Sequence, residues 1–198
     1  MNKNKKYRKE GIIMQSSTST IIAILVAGVL IFIVPLVTLT NRSDNVVQEN
    51  VSLIVEEFVT EVKNTGKLTR ARYQEFVDEL HAAGNTTYEI EMEVKILDEN
   101  PGKKTAQANY TKIGENVYYS EYTTQILKKL GIEIDGEQPS SNNAIILKEG
   151  DIVYVEVKNA DSTAAQTLNS SLLGFSNAGE YAVQASSSGM VTVNGTTN

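Results

Sequence analysis

Residues 21–40 read Ile21-Ile-Ala-Ile-Leu-Val-Ala-Gly-Val-Leu-Ile-Phe-Ile-Val-Pro-Leu-Val-Thr-Leu-Thr40, twenty positions without a charge. At about 1.5 Å of rise per residue, such a stretch spans the roughly 30 Å hydrocarbon core of a bilayer as a single helix. It is too long for the apolar region of a cleaved secretory signal, and Leu36 to Asn41 offers no small-x-small cleavage site. The sequence therefore predicts an uncleaved transmembrane helix over 21–40. Pro35 removes one hydrogen bond from that helix and marks a place for a kink, which membrane helices tolerate.

Charge sets the expected orientation. Residues 1–20 hold Lys3, Lys5, Lys6, Arg8 and Lys9 against Glu10, a net +4, whereas the first charges beyond the apolar run are Arg42 and Asp44. The excess of positive charge on the N-terminal side predicts a cytoplasmic tail over 1–20 and an extracytoplasmic remainder. With the whole chain at −6, the part beyond Thr40 carries −10. So acidic a surface repels phosphate backbones, so no nucleic-acid partner is expected. The basic tail suits an anionic lipid surface, which makes the bilayer the first expected partner.

Beyond the polar patch Asn41-Arg-Ser-Asp-Asn45, apolar residues recur at Val47, Val51, Ile54, Val55, Phe58 and Val62. Spacings of three and four predict an amphipathic stalk helix over 41–66 that stops at Gly66, either continuous with the span as one rod of roughly 60 Å or broken from it at the polar patch. Residues 67–198 then form a head. Its first helix is capped by Thr69, has Leu68 and Tyr73 at staple positions, buries Tyr73, Phe76, Val77 and Leu80, and stops at Gly84. His81 lies in its last turn, where a cation is favoured by the helix dipole, and is read as a helix-end residue.

At Thr87 the period becomes two. Tyr88, Ile90, Met92, Val94 and Ile96 alternate with Glu89, Glu91, Glu93 and Lys95, which predicts a strand with one buried and one charged face. The three glutamates are read as a solvated row, since no neighbouring sequence desolvates them. A turn follows at Asp98-Glu-Asn-Pro-Gly102. Residues 105–113 are open between strand and irregular structure, with Asn116 to Tyr119 as a short strand paired to them.

A helix is expected from Ser120 to Leu130, ended by Gly131, and a polar loop from Asp135 to Asn143. Ala144 to Leu147 and Ile152 to Val157 read as a hairpin about the turn Lys148 to Asp151. Ser162 to Phe175 predicts a helix, and Tyr181 to Ala185 with Met190 to Val193 a closing hairpin about Ser186 to Gly189. Helices and strands mixed without regular alternation predict an α+β fold with an antiparallel sheet.

Chemistry-bearing motifs are sparse. The chain has no cysteine and one histidine, which excludes thiol catalysis and thiolate metal sites. It contains no phosphate loop, dinucleotide glycine pattern, metalloprotease helix or nucleophile elbow. The tripeptides starting at Asn41, Asn50, Asn85, Asn109, Asn169 and Asn194 have the form of glycosylation acceptors, but arise easily in a chain rich in Asn, Ser and Thr. The sequence assigns no catalytic, cofactor-binding or metal-ligating residue, and the expectation is a protein that is not an enzyme.

Phe58-Val-Thr-Glu-Val-Lys-Asn-Thr-Gly-Lys-Leu-Thr69, Tyr73-Gln-Glu-Phe-Val77 and Ser188-Gly-Met-Val-Thr-Val-Asn-Gly195 resemble membrane-anchored proteins associated with tight-adherence (Tad/Flp) pili of clostridia and relatives. The wider plan, a basic leader, an apolar helix, an amphipathic continuation and an α+β head, resembles type IV pilin-like proteins. The resemblance implies a structural or assembly subunit, a minor pilin or pseudopilin, whose partners are other pilus or secretion-apparatus subunits. It departs from the pilin pattern in one respect: five residues after Gly11 stands Ser16, not glutamate, and Gln15 to Thr20 is polar. The alternative is a bitopic cell-surface protein that binds a ligand or protein outside any filament.

Overall fold

A computed structural model describes residues 4–84, 86–98, 117–133, 143–173 and 183–196. Its first element is a single helix, α1, Asn4–Thr65, 62 residues and roughly 93 Å long at 1.5 Å each. The helix runs through Pro35 and through the polar patch without a break. Of the two arrangements the sequence leaves open, the continuous one is observed: Asn41 to Asn45 contains neither Gly nor Pro, and the buried positions from Val51 onward hold the helix on one side of it.

The two halves of α1 have opposite surroundings. None of the apolar stretch is buried; Phe32 is 78 % exposed and Ile31 68 %. In the second half Val51, Val55, Phe58 and Val62 are fully buried, the stripe expected from spacing. Within the apolar half, the Thr38 and Thr40 hydroxyls donate to the carbonyls of Val34 and Leu36, at 2.8 and 2.5 Å. They are thereby satisfied inside the helix itself.

The remaining elements wrap the second half of α1. They are β1 (Lys67–Thr69), α2 (Arg70–Gly84), β2 (Tyr88–Asp98), β3 (Val117–Tyr122), α3 (Thr123–Lys129), β4 (Ala144–Ile146), β5 (Ile152–Asn159), α4 (Ala164–Leu173) and β6 (Gln184–Met190). An antiparallel sheet has the order β3-β2-β5-β6, and β1 pairs with β4 in a separate ribbon. The fold is α+β with antiparallel sheets, as expected. Met92, Val94, Val153, Val155 and Val157 turn the inner face of the sheet into the core, while α2 adds Phe76 and Leu80. Phe58 and Phe76 stack with centroids 4.1 Å apart, and the Arg72 guanidinium lies 5.5 Å over the Phe58 ring. Arg72 also bonds Glu61 of α1 at 2.5 Å, so charge and aromatic packing act at the same α1–α2 seam.

Several terminators and caps behave as expected. Gly66 and Gly131 take positive φ, +62° and +73°, after α1 and α3. The Thr69 hydroxyl accepts the Arg72 N–H at 3.1 Å, capping α2. Gly84 is the last residue of α2 and does not adopt a left-handed conformation.

Four expectations are corrected. Residues 120–122 belong to β3, not to the following helix, and β3 pairs with β2, Lys95 opposite Ser120. Thr123 makes the switch: its hydroxyl accepts the Met92 N–H at 2.7 Å and donates to the Met92 carbonyl at 3.3 Å, replacing the next ladder residue. Lys67 to Thr69, read as a helix lead-in, is a strand with Leu68 opposite Ile145. Consequently β4 and β5 do not form a hairpin. The turn between them exists, with Gly150 at φ +97°, but Leu147 N–H bonds the Gly66 carbonyl and carries β4 away to β1.

The fourth correction concerns Ser186 to Gly189, which lies inside β6 and is not a turn. β6 pairs along its length with β5, from Lys158 opposite Gln184 to Ile152 opposite Met190. Small residues serve packing here: a Cβ on Gly189 would stand 2.9 Å from Lys63 Cδ and 3.6 Å from Val59 Cγ1. The expected strand at 105–113, the turn at 99–102, the loop at 135–142 and residues 181–182 lie outside the described residues.

Candidate functional site

The outer face of the sheet carries the charges that the alternation predicted. Glu91 faces Glu156 across the β2–β5 ladder, a like-charged pair that would be destabilising alone. Lys158 lies 3.7 Å from Glu91 and 3.3 Å from Glu156, and Gln184 donates to Glu156 at 2.6 Å. Burial raises the Glu156 carboxyl, but hydrogen bonds from Gln184, Lys158 and Tyr154 outweigh it and leave it below its ordinary range. Glu93 accepts the Ser120 hydroxyl at 2.6 Å. Glu91, Glu93 and Glu156 are thus each tied to a neighbour, and among the described residues no group of three or more His, Asp or Glu side chains is placed to hold a metal.

A concave feature lies elsewhere, where α1 leaves the apolar stretch. Ser43, Asp44 and Val47 of α1, His81 and Gly84 at the end of α2, Thr86 and Thr87, Asp161 to Thr163 before α4, and Val183 line a cleft of about 610 Å³. That volume lies within the range of small-ligand sites. Two carboxylates, one imidazole and several hydroxyls face it, and among the described residues no lysine or arginine does.

Local structure explains how these groups meet. Thr163 caps α4: its hydroxyl accepts the Gln166 N–H at 3.2 Å, and Gln166 Oε1 accepts the Thr163 N–H at 3.0 Å, a reciprocal capping box. The same Thr163 hydroxyl donates to Asp44 Oδ2 at 2.7 Å, which joins α4 to α1. Asn159, buried in the sheet, donates from Nδ2 to the Asp161 carbonyl at 2.6 Å and accepts the Val183 N–H at 3.0 Å. Asp161 is consequently held at the rim with its carboxylate exposed.

His81 is where its reading as a helix-end residue placed it, and it lines the cleft. Asp44, Asp161 and Thr163 were not singled out by sequence reasoning. For Thr163 a signal existed, Thr163-x-x-Gln166 before an apolar run; for Asp44 and Asp161 none did, because their meeting depends on where β5 delivers the chain. Such a surface attracts cations and hydrogen-bond donors.

No protein-family model, curated protein or solved structure matches this chain.

Proposed function

We propose that this protein is a membrane-anchored, non-enzymatic structural or assembly subunit, minor-pilin or pseudopilin-like, of a tight-adherence-type pilus or secretion apparatus. The observation that carries the reading is the division of α1: one uninterrupted helix whose first half is apolar and unburied and whose second half is the spine of the head. A helix of that composition is long and apolar enough to cross a membrane. The excess of basic residues before it supports a cytoplasmic N-terminus and an extracytoplasmic head. Its exposed apolar surface, with Ala23, Ala27 and Gly28 among larger side chains, suits lateral packing between such helices within lipid.

A second reading, a bitopic surface protein that binds a ligand or protein outside a filament, is favoured by the cleft beside Asp44. One experiment separates the two. The intact mass of the protein from native membranes is measured, with co-purifying proteins identified in the same sample. A full-length chain, or one lacking residues 1–11, recovered with pilus or secretion components supports the subunit. A full-length chain recovered alone supports the binding module, and loss of everything through about Thr40 overturns the anchor.

A further inference from the structure

Arg42 and Asp44 are two residues apart on one helix, hence about 200° apart around it and about 3 Å apart along it. Asp44 faces the head, bonded to Thr163 in the acidic cleft. Arg42 is exposed and makes no ion pair among the described residues. One copy therefore carries a cation on the back of α1 at the same level as an acidic concavity on the front, and among the described residues no lysine or arginine lines the cleft.

We propose that the cleft receives Arg42 of a second copy of this chain standing in the same bilayer. The inference rests on the anchored reading: parallel spans place every copy's Arg42 and Asp44 at one height, within about 6 Å of the end of the apolar stretch. Asp44 is half-buried, so a guanidinium against it gains more than a fully exposed pair, with Asp161 at the rim as a second partner. The contact is heterologous, the back of one copy against the front of the next, so it leaves a free cleft at one end and a free Arg42 at the other. Repetition yields a ring or an open row rather than a closed pair.

The absence of cysteine makes the test direct. Full-length chains that keep Arg42 and carry Val46→Cys, on the same exposed side of α1, together with Ser162→Cys are oxidised in membranes and run without reductant; a ladder of dimer, trimer and higher species is expected. Mixing the two single variants should give dimers joining unlike partners only. Adding Arg42→Glu to the same reporter pair should weaken the ladder roughly tenfold, and Asp161→Arg in the same chain should restore it. Self-crosslinking of the Val46→Cys single variant at the rate of the mixed pair would overturn the proposal in favour of a back-to-back dimer. Monomers that remain in the alkaline-extracted membrane pellet would overturn it while leaving the anchor intact, and labelling of the cleft by an amine-headgroup lipid in that sample would assign it to lipid. Recovery of the chain in the soluble extract would overturn the anchor and, with it, the shared height on which the contact depends.

Discussion

The side chain of Gln48 pairs with both backbone groups of Gln184: Oε1 accepts the N–H at 2.8 Å and Nε2 donates to the carbonyl at 2.6 Å. A helix side chain thus stands where the next strand of the sheet would be. At the other end of β6, the Thr192 N–H bonds the Lys63 carbonyl of α1. The helix therefore guards an edge that serine-rich and uncharged residues would leave open to pairing with another chain. Gln48→Ala should destabilise the head by about 1–2 kcal/mol and speed hydrogen exchange at the Gln184 amide. Urea unfolding of the full chain in detergent and exchange mass spectrometry check the two effects.

Asp151 is 2 % exposed, and its carboxylate accepts the Leu97 N–H at 2.9 Å and the Lys148 N–H at 2.8 Å. It fastens the end of β2 to the turn before β5. Asp151→Ala leaves two backbone donors in a buried place without partners, so a loss of about 3 kcal/mol or more is expected, against a smaller loss for Asp151→Asn, which keeps one acceptor. Comparing their denaturant midpoints at equal m-value decides whether the carboxylate holds both donors.

Gly66 combines φ +62° with contact on the C-terminal segment: an added Cβ would lie 2.5 Å from Gly195 N and 2.6 Å from Val193 O. Both obstacles are backbone and cannot swing aside. Gly66→Ala should cost clearly more than the roughly 1 kcal/mol of a strained φ alone. Gly28, with nothing within 4 Å of its Cβ position, should tolerate alanine, and thermal unfolding of the pair in one detergent provides the contrast.

Burial raises the phenols of Tyr73 and Tyr88, and burial together with the neighbouring Glu156 raises that of Tyr154. These three should ionise above the ordinary tyrosine range in an ultraviolet titration of the folded chain. A folded-state pKa above the unfolded one contributes stability that is complete below about pH 10 and is lost as pH rises through the folded value. For Glu156 the sign is reversed: its depressed pKa contributes stability above the ordinary carboxylate range, lost as pH falls through the folded value. Unfolding midpoints should therefore decline at both extremes, and Glu156→Gln should remove part of the acid limb alone.

Elements with one dominant period were legible in the sequence. The stripe from Val47 to Val62 and the alternation from Tyr88 to Ile96 each present one face to one environment, so spacing alone located them. Ser186 to Gly189 misled because small polar residues mark turns by composition, whereas here they make room for α1 under a sheet. Lys67 to Thr69 and Ala144 to Ile146 are three residues each, too short to show a period, and exist as strands only through each other. Thr123 ends β3 by bonding a residue 31 positions away, a partner no local window contains. The cleft was illegible for the same reason: Asp44 and Thr163 are 119 residues apart and are joined only once the sheet is built.

The unbroken helix gives the head no independence from its anchor. With the apolar half in a bilayer, the roughly 38 Å from Thr40 to Thr65 act as a lever rigidly continuous with the span, and an average tilt of about 20° would displace the far end of the head sideways by roughly 13 Å. A thinner bilayer, which tilts the span further, would lay the head over more. In a bilayer, local membrane thickness would thereby be converted into the lean of the head, without a hinge or a ligand.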